Sequence, residues 1–229
     1  MNKIGIVVAM DTEFQLVKQL MENREDFEFA GGKFIRGNVG DKLVILGRSG
    51  IGKVFSSVGV VEMIKNFSPD CIINTGVAGG IDESLNSMDV VVGKNTVYHD
   101  VWCGDGNAYG QVQGMPSMFE GDITLYEAAM KLNSDVNIIG GLICSGDKFI
   151  TDGEVLVDIK KHFPEGMAVD MESCSMAQVC YIYKVPFLSF RIISDTPGRH
   201  DDNFGQYLNF FEVAPEKSFK LLSQLINNI

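Results

Sequence analysis

The sequence predicts an α/β fold: a central twisted sheet, mixed and mostly parallel, flanked by helices. Three observations predict it. Apolar runs of strand length recur, and several are apolar on successive residues without alternation, the pattern of strands covered on both faces. Helical patterns lie between these runs, and strand alternating with helix builds a largely parallel or mixed sheet. With 229 residues, 45% of them hydrophobic, the chain can fill one sizeable core. We expect a single domain, 1–229, with no repeat, low-complexity segment or linker.

The elements follow in order. Ile4–Ala9 reads as a strand, and Thr12–Met21 as a helix with Phe14, Val17 and Leu20 on one face. Strand Leu43–Leu46 leads through Ser49-Gly50-Ile51-Gly52-Lys53 into helix Val54–Asn66, which carries Val58, Val61, Met63 and Ile64. Strand Cys71–Asn74 runs into a second glycine-rich segment, Asn74-Thr75-Gly76-Val77-Ala78-Gly79-Gly80. Strand Val90–Val92 precedes a long stretch without clear periodicity, His99 to Gly121, which holds Trp102, Tyr109, Met115, Met118 and Phe119. Long irregular segments in compact domains are often functional, and exposed aromatics there also suit a subunit interface. Helix Leu125–Leu132, strand Gly141–Cys144, helix Val155–His162, strand Met167–Val169, helix Glu172–Tyr183, strand Phe187–Ile193 and helix Phe211–Asn228 complete the chain.

Composition excludes several classes of function. A net charge of −11 and a pI of about 4.7 repel a nucleic-acid backbone unless a basic patch exists. Lys160-Lys161-His162 is too short for one and reads as a solvated helix end. We therefore expect no nucleic-acid partner. No stretch approaches the ~18 apolar residues of a membrane helix, and MNKIGIVVAMDTEF is too short for a signal peptide, so no membrane partner is expected. Five scattered cysteines, without a C-x-x-C pair, read as reduced and cytoplasmic. Three histidines, with no H-x₃-H or Cys/His cluster, predict no metal site. His99-Asp100 has the composition of a dyad, but neighbours on an extended chain point apart, which favours a hydrogen-bonded loop histidine. The first glycine segment lacks P-loop spacing, neither segment is G-x-G-x-x-G, and no G-x-S-x-G elbow is present.

Three acids sit where strands end, the ligand-binding edge of an open α/β sheet. Glu13 follows the first strand, Glu172 follows Met167–Val169, and Asp195 ends the run Phe187–Ile193. Each also fits a bland role, as a partner of a helix dipole or a cap. Three acids so placed would serve the breaking of an N-glycosidic bond, which needs an acid for the leaving base, a carboxylate for the attacking water and a carboxylate for the ribose hydroxyls, but placement alone does not identify a reaction.

Taken in order, IGIVVAMDTEF, SGIGKV, PDCIINTGVAGG, YHD, GLICSGDKFI, AVDMES and FRIISD span nearly the whole chain. The set resembles the 5′-methylthioadenosine/S-adenosylhomocysteine nucleosidases of the purine nucleosidase/phosphorylase superfamily. The resemblance implies a nucleoside phosphorylase-like fold and hydrolysis that releases adenine from a small nucleoside, with no cofactor. It implies that Glu13 activates water, Glu172 binds the ribose hydroxyls, and Asp195 protonates N7 with support from Ser194. Phe149 and Ile150 match the pair at the adenine. Met10, Ile51 and Met171 match residues near the sugar and its 5′ substituent, and Phe204 is assigned to the same substrate surface. Val77, Gly79 and Arg191 would support water or ribose. A homodimer is implied, with the His99–Gly121 loop near the interface.

The chain departs from the family pattern at three places. Val77 stands where the motif usually has Ser, and Val101–Gln111 differs and is one residue shorter. The segment Pro197–Phe204 also differs. The 5′ group therefore stays open, with a futalosine-type hydrolase as one alternative. A phosphate-dependent phosphorylase and a non-catalytic nucleoside sensor are the others. No Arg lies near Met10–Phe14 or in INTGVAGG to hold a phosphate dianion, which favours water.

Overall fold

The computed structural model describes residues 1–30, 32–151, 153–197, 203–213 and 215–229. Seventeen elements follow in chain order: β1 (Lys3–Val8), α1 (Asp11–Lys18), β2 (Glu22–Phe29), β3 (Gly32–Val39), β4 (Lys42–Arg48), α2 (Lys53–Phe67), β5 (Cys71–Gly80), β6 (Val90–Tyr98), β7 (Phe119–Glu120), α3 (Ile123–Met130), β8 (Ile138–Ser145), α4 (Gly153–His162), β9 (Gly166–Asp170), α5 (Ser173–Tyr183), β10 (Phe187–Asp195), α6 (Asn203–Val213) and α7 (Pro215–Asn228). Every expected strand is present. The expected helix Phe211–Asn228 falls across α6 and α7, with residue 214 outside the described residues. The sequence reading missed β2, β3 and the short β7.

The strands form one mixed sheet in the order β10-β6-β8-β9-β5-β1-β4-β3-β2. The long inner pairs β1–β4, β1–β5, β5–β10, β6–β8 and β8–β9 are parallel. Parallel strands need cover on both faces. Every residue of β10 is accordingly buried, and β5 is nearly so. Because β10 also pairs with β5, the strands β5, β10, β6, β8 and β9 close into a ring. Strand β5 makes the transition. Its residues Cys71–Asn74 pair with β1, and Gly79–Gly80 pair with β9. Gly76 lies between, at φ +135°, a conformation open to glycine.

Core side chains fill both faces of the sheet. Ile4, Ile6, Val8, Val44, Leu46 and Ile73 pack under α1 and α7 with Phe14, Val17, Leu222 and Leu225. Val7, Ile45 and Ile72 pack on the other face with Val60, Met63, Met176 and Cys180 from α2 and α5. Strand β2 is an exposed edge, and its charged residues discourage pairing with another chain.

Candidate active site

The ends of β1, β5, β9 and β10 meet at a cavity of about 630 Å³. Its lining includes Met10, Glu13, Ile51, Val77, Gly79, Phe149, Ile150, Met171, Glu172, Ser194 and Asp195. Eleven sequence-predicted residues are therefore brought to one place. Phe204 and Arg191 are not on the lining. Phe204 meets Phe149 edge-on, with 6.4 Å between ring centroids, and Arg191 lies behind the acids.

Glu13 is the third residue of α1, where a carboxylate can reach back to the N-cap backbone. Its Oε2 accepts from the N–H groups of Ala9 (3.1 Å) and Met10 (3.0 Å), as a cap would. Its Oε1 accepts from the Val77 N–H at 3.0 Å, which ties α1 to β5 across the sheet. The bland and functional readings of this residue thus coexist. A Cβ at Gly76 would collide with the Glu13 carboxyl and lie 3.0 Å from Arg191 Nη1. Glycine there lets the acid sit against the strand. Burial raises the Glu13 pKa, and Arg191 together with the three N–H donors partly offsets it. Because the backbone of residue 77 grips Glu13, the grip does not depend on the side chain at that position.

Glu172 is the N-cap of α5, yet its side chain makes no cap bond. It turns toward the cavity instead. Its Oε1 accepts from the Gly52 N–H at 2.9 Å, and its Oε2 lies 3.5 Å from Arg191 Nη2. Burial pushes its pKa up to about 7, against the pull of Arg191. Arg191 is itself 1% exposed. It pairs with Asp170 at 2.6 Å and donates to Asn74 Oδ1 at 2.6 Å and Ser173 Oγ at 3.2 Å. Asp170 also accepts from the hydroxyls of Ser145 and Ser173. A buried cation is tolerable only with such pairing.

Asp195 ends β10 next to an irregularity. The register against β5 shifts between Ile193, opposite Ala78, and Asp195, opposite Gly79, so Ser194 is the extra residue of a bulge. Bulges near functional sites re-aim side chains. Here the bulge delivers Ser194 and Asp195 together to the lining, and Ser194 Oγ donates to Asp195 Oδ1 at 2.6 Å. Burial pushes the Asp195 pKa up to about 6, moderated by that hydroxyl.

The aromatic wall comes from two elements. Phe149 is 48% exposed and lies on the lining, leaving a ring face for a flat ligand. Tyr207 of α6 meets it edge-on at 5.4 Å, and its hydroxyl lies 3.0 Å from Met10 Sδ. The sequence reading missed Tyr207, because nothing local marks a helical tyrosine as facing a cavity. It also missed Asp170, although a signal was available: Asp170 and Glu172 are two apart at a strand end, where alternate residues share a face. Of the segment Pro197–Phe204, residues 198–202 lie outside the described residues.

His99 corrects an expectation. It is buried, but its Nε2 has no hydrogen-bond partner among the described residues, and its ring packs against Gly146, where no Cβ would fit. Asp100 pairs with Lys53 instead of with this ring. The described residues contain no group of three or more His, Cys, Asp or Glu that could hold a metal ion. No described helix is long and apolar enough to cross a membrane.

Fold and acid-lined cavity define a member of the phosphorylase superfamily, whose family model matches residues 3–227. The 5′-methylthioadenosine/S-adenosylhomocysteine nucleosidase of Psychromonas ingrahamii is 38% identical over 232 residues, covering 99% of each chain. The Neisseria meningitidis nucleosidase, solved in complex with methylthio-immucillin-A, matches with a TM-score of 0.94 and 34% identity over 100% of both chains. The Colwellia psychrerythraea enzyme, solved in complex with adenine, matches at 0.94 and 33% identity over 99% of this chain and 95% of its own. This chain belongs to the 5′-methylthioadenosine/S-adenosylhomocysteine nucleosidase family.

Proposed function

We propose that the chain hydrolyses the N-glycosidic bond of 5′-methylthioadenosine and S-adenosylhomocysteine, releasing adenine and a 5′-thio-substituted ribose. The observation that carries this reading is the charge on the cavity. Among the described residues on its lining, Glu13, Asp170, Glu172 and Asp195 outnumber one lysine, Lys148, while the buried guanidinium of Arg191 is already engaged by Asp170 and Glu172. A phosphate dianion would meet more acids than cations there, whereas a water molecule would meet a base in Glu13.

In this mechanism Phe149 stacks on the adenine and Ile150 closes its edge. Burial raises the Asp195 pKa to about 6, which keeps a fraction of it protonated near neutral pH, and that form gives its proton to N7 as the bond to C1′ breaks. Glu172 grips the ribose hydroxyls. Glu13 takes a proton from water as the oxygen adds to C1′. Met10, Ile51 and Met171 surround the sugar and its 5′ group, with Phe204 behind Phe149. Val77 and Gly79 supply backbone support, and Arg191 holds the acids in place.

Release of free adenine from both nucleosides in phosphate-free buffer, followed by chromatography, tests this reading. Adenine release that required phosphate would replace it with a phosphorylase. Futalosine run beside the two substrates tests the 5′ preference.

We further propose a cytoplasmic homodimer. Helices α2 and α5 leave Val54, Phe55, Val58, Tyr181 and Ile182 exposed, and Trp102 of the long loop is also exposed, an apolar display suited to a second copy. Five free cysteines, four of them buried, fit a reducing compartment. Light scattering of the wild type and of Phe55→Asp reports the oligomer.

A further inference from the structure

Three charged side chains outside the cavity join the two loops that build its walls. Lys53, the first residue of α2, donates through Nζ to Asp100 Oδ1 at 2.6 Å and through its backbone N–H to Asp147 Oδ1 at 2.9 Å. Asp100, just past the end of β6, accepts through Oδ2 from the Asp147 N–H at 2.9 Å. The three residues form a closed loop of contacts. Lys53 Nζ also lies 4.9 Å from the ring centroid of Tyr98. The Lys53 and Asp100 side chains are only 23% and 15% exposed. Such an ion pair is held more firmly than one on the open surface.

Each end of this clasp adjoins a cavity residue. Gly52, immediately before Lys53, gives its N–H to Glu172 Oε1 at 2.9 Å. It does so at φ +91°, and a Cβ there would stand 2.9 Å from Asp147 Oδ1. Asp147 lies two residues before Phe149. His99 and Asp100 together press on Gly146, where a Cβ would lie 2.9 Å from Asp100 Cγ. Displacement of a catalytic group by about 1 Å can cost ~10²-fold in rate, so anchoring of this kind has catalytic consequence.

We propose that Lys53, Asp100 and Asp147 are positioning residues, which hold the Gly52 N–H against Glu172 and the Phe149 loop over the base, so that the ribose and adenine walls keep one spacing. The proposal rests on the nucleosidase reading of the cavity. It assigns a task to His99-Asp100 and to the Gly52-Lys53 turn, the two sequence features that the chemistry itself does not use.

The test uses Asp100→Ala and Lys53→Met, with Lys53→Arg as the conservative variant. Adenine release from 5′-methylthioadenosine is measured as kcat and KM across pH 5–9, and amide hydrogen exchange is measured on the free proteins. Wild-type turnover in the same assay reports separately on the nucleosidase reading. The clasp predicts a loss of about 10–100-fold in kcat/KM for Asp100→Ala, with kcat and KM both affected. Lys53→Arg should recover most of it. Faster exchange is expected at Gly52 and at residues 147–150 in both disrupting variants. The low-pH limb of kcat/KM should also move to higher pH. Glu172 is faced by Arg191 of β10, Asp170 of β9, Glu13 of α1 and the Gly52 N–H, and losing the N–H removes one of the groups that favour its charged form. Folded variants with kcat/KM within about two-fold of wild type and unchanged exchange at Gly52 would overturn the proposal; that margin is the ordinary scatter of an exposed pair. If Asp100→Ala does not fold, Lys53→Met decides by the same measures.

Discussion

The carboxylates of the cavity are braced in two opposite ways. Glu13 and Glu172 stand in front of a buried arginine and accept from backbone N–H groups at Ala9, Met10, Val77 and Gly52. Asp195 stands on a bulge and has one hydroxyl, Ser194, as its bracing partner. Both regions are buried, so burial alone does not distinguish them. The difference lies in what opposes it: fixed positive charge and donors for the first pair, a neutral hydroxyl for the second. A cation at 3.5 Å favours the ionised form of Glu172. No ion pair to Asp195 is present among the described residues, and burial raises its pKa. The surroundings thus differ, although in the free protein burial still lifts Glu172, to about 7, above Asp195, at about 6.

The largest break in this contrast comes from Asp195→Asn, which keeps the shape and removes the transferable proton. We expect kcat for adenine release to fall by about 10²–10⁴-fold, with adenine binding, measured by calorimetry, largely retained. Arg191→Met attacks the other region. It leaves Asp170, Glu172 and Glu13 buried without their cation, so a loss of roughly 3–5 kcal/mol in denaturant unfolding is expected, and with it most activity. Retention of wild-type stability would show that the acids are not held by this charge.

A pH profile sharpens the comparison without mutation. Asp195 must be protonated to act, so activity falls as pH rises through about 6. Glu172 must be ionised to grip the ribose, so activity falls as pH drops through about 7. Because the acid's value lies below that of the sugar grip, only a minor fraction of the free enzyme holds both required forms at once, and kcat/KM is a low bell with its maximum between those values. A profile flat from pH 5 to 8 would contradict the division of roles. Ser194→Ala removes a group that lowers the Asp195 pKa, so the alkaline limb should move upward. The smallest change is expected from Val77→Ser: the backbone N–H holds Glu13, so kcat/KM should stay within about two-fold, the range of surface-like substitutions.

The legible parts of the molecule were those set by local pattern. Strands β1, β5 and β10 announce themselves by apolar residues at successive positions, because both of their faces are covered. Strand β2 does not: Glu22, Arg24, Glu25, Asp26 and Glu28 confine its apolar residues to Phe27 and Phe29 at one end, and its pairing with β3 is what makes it a strand. Glu13, Glu172 and Asp195 were legible as acids at strand ends. Asn74, Ser173 and Tyr207 were not, because their partners lie 117, 18 and 197 positions away along the chain. Closure of the sheet into a ring was equally hidden, since it depends on β10 meeting β5 across more than half of the sequence.

That closure orders events during synthesis. The ring stays open until Phe187–Asp195 has left the ribosome, and long-range pairing of this kind forms slowly. The same strand carries Arg191 and Asp195. A nascent chain that has made everything up to α5 therefore holds Glu13, Asp170 and Glu172 without the arginine that pairs with Asp170 and Glu172 in the finished sheet. One late strand thus closes the ring, brings Arg191 to its acids and delivers Asp195 in a single step, so that assembly and competence arrive together.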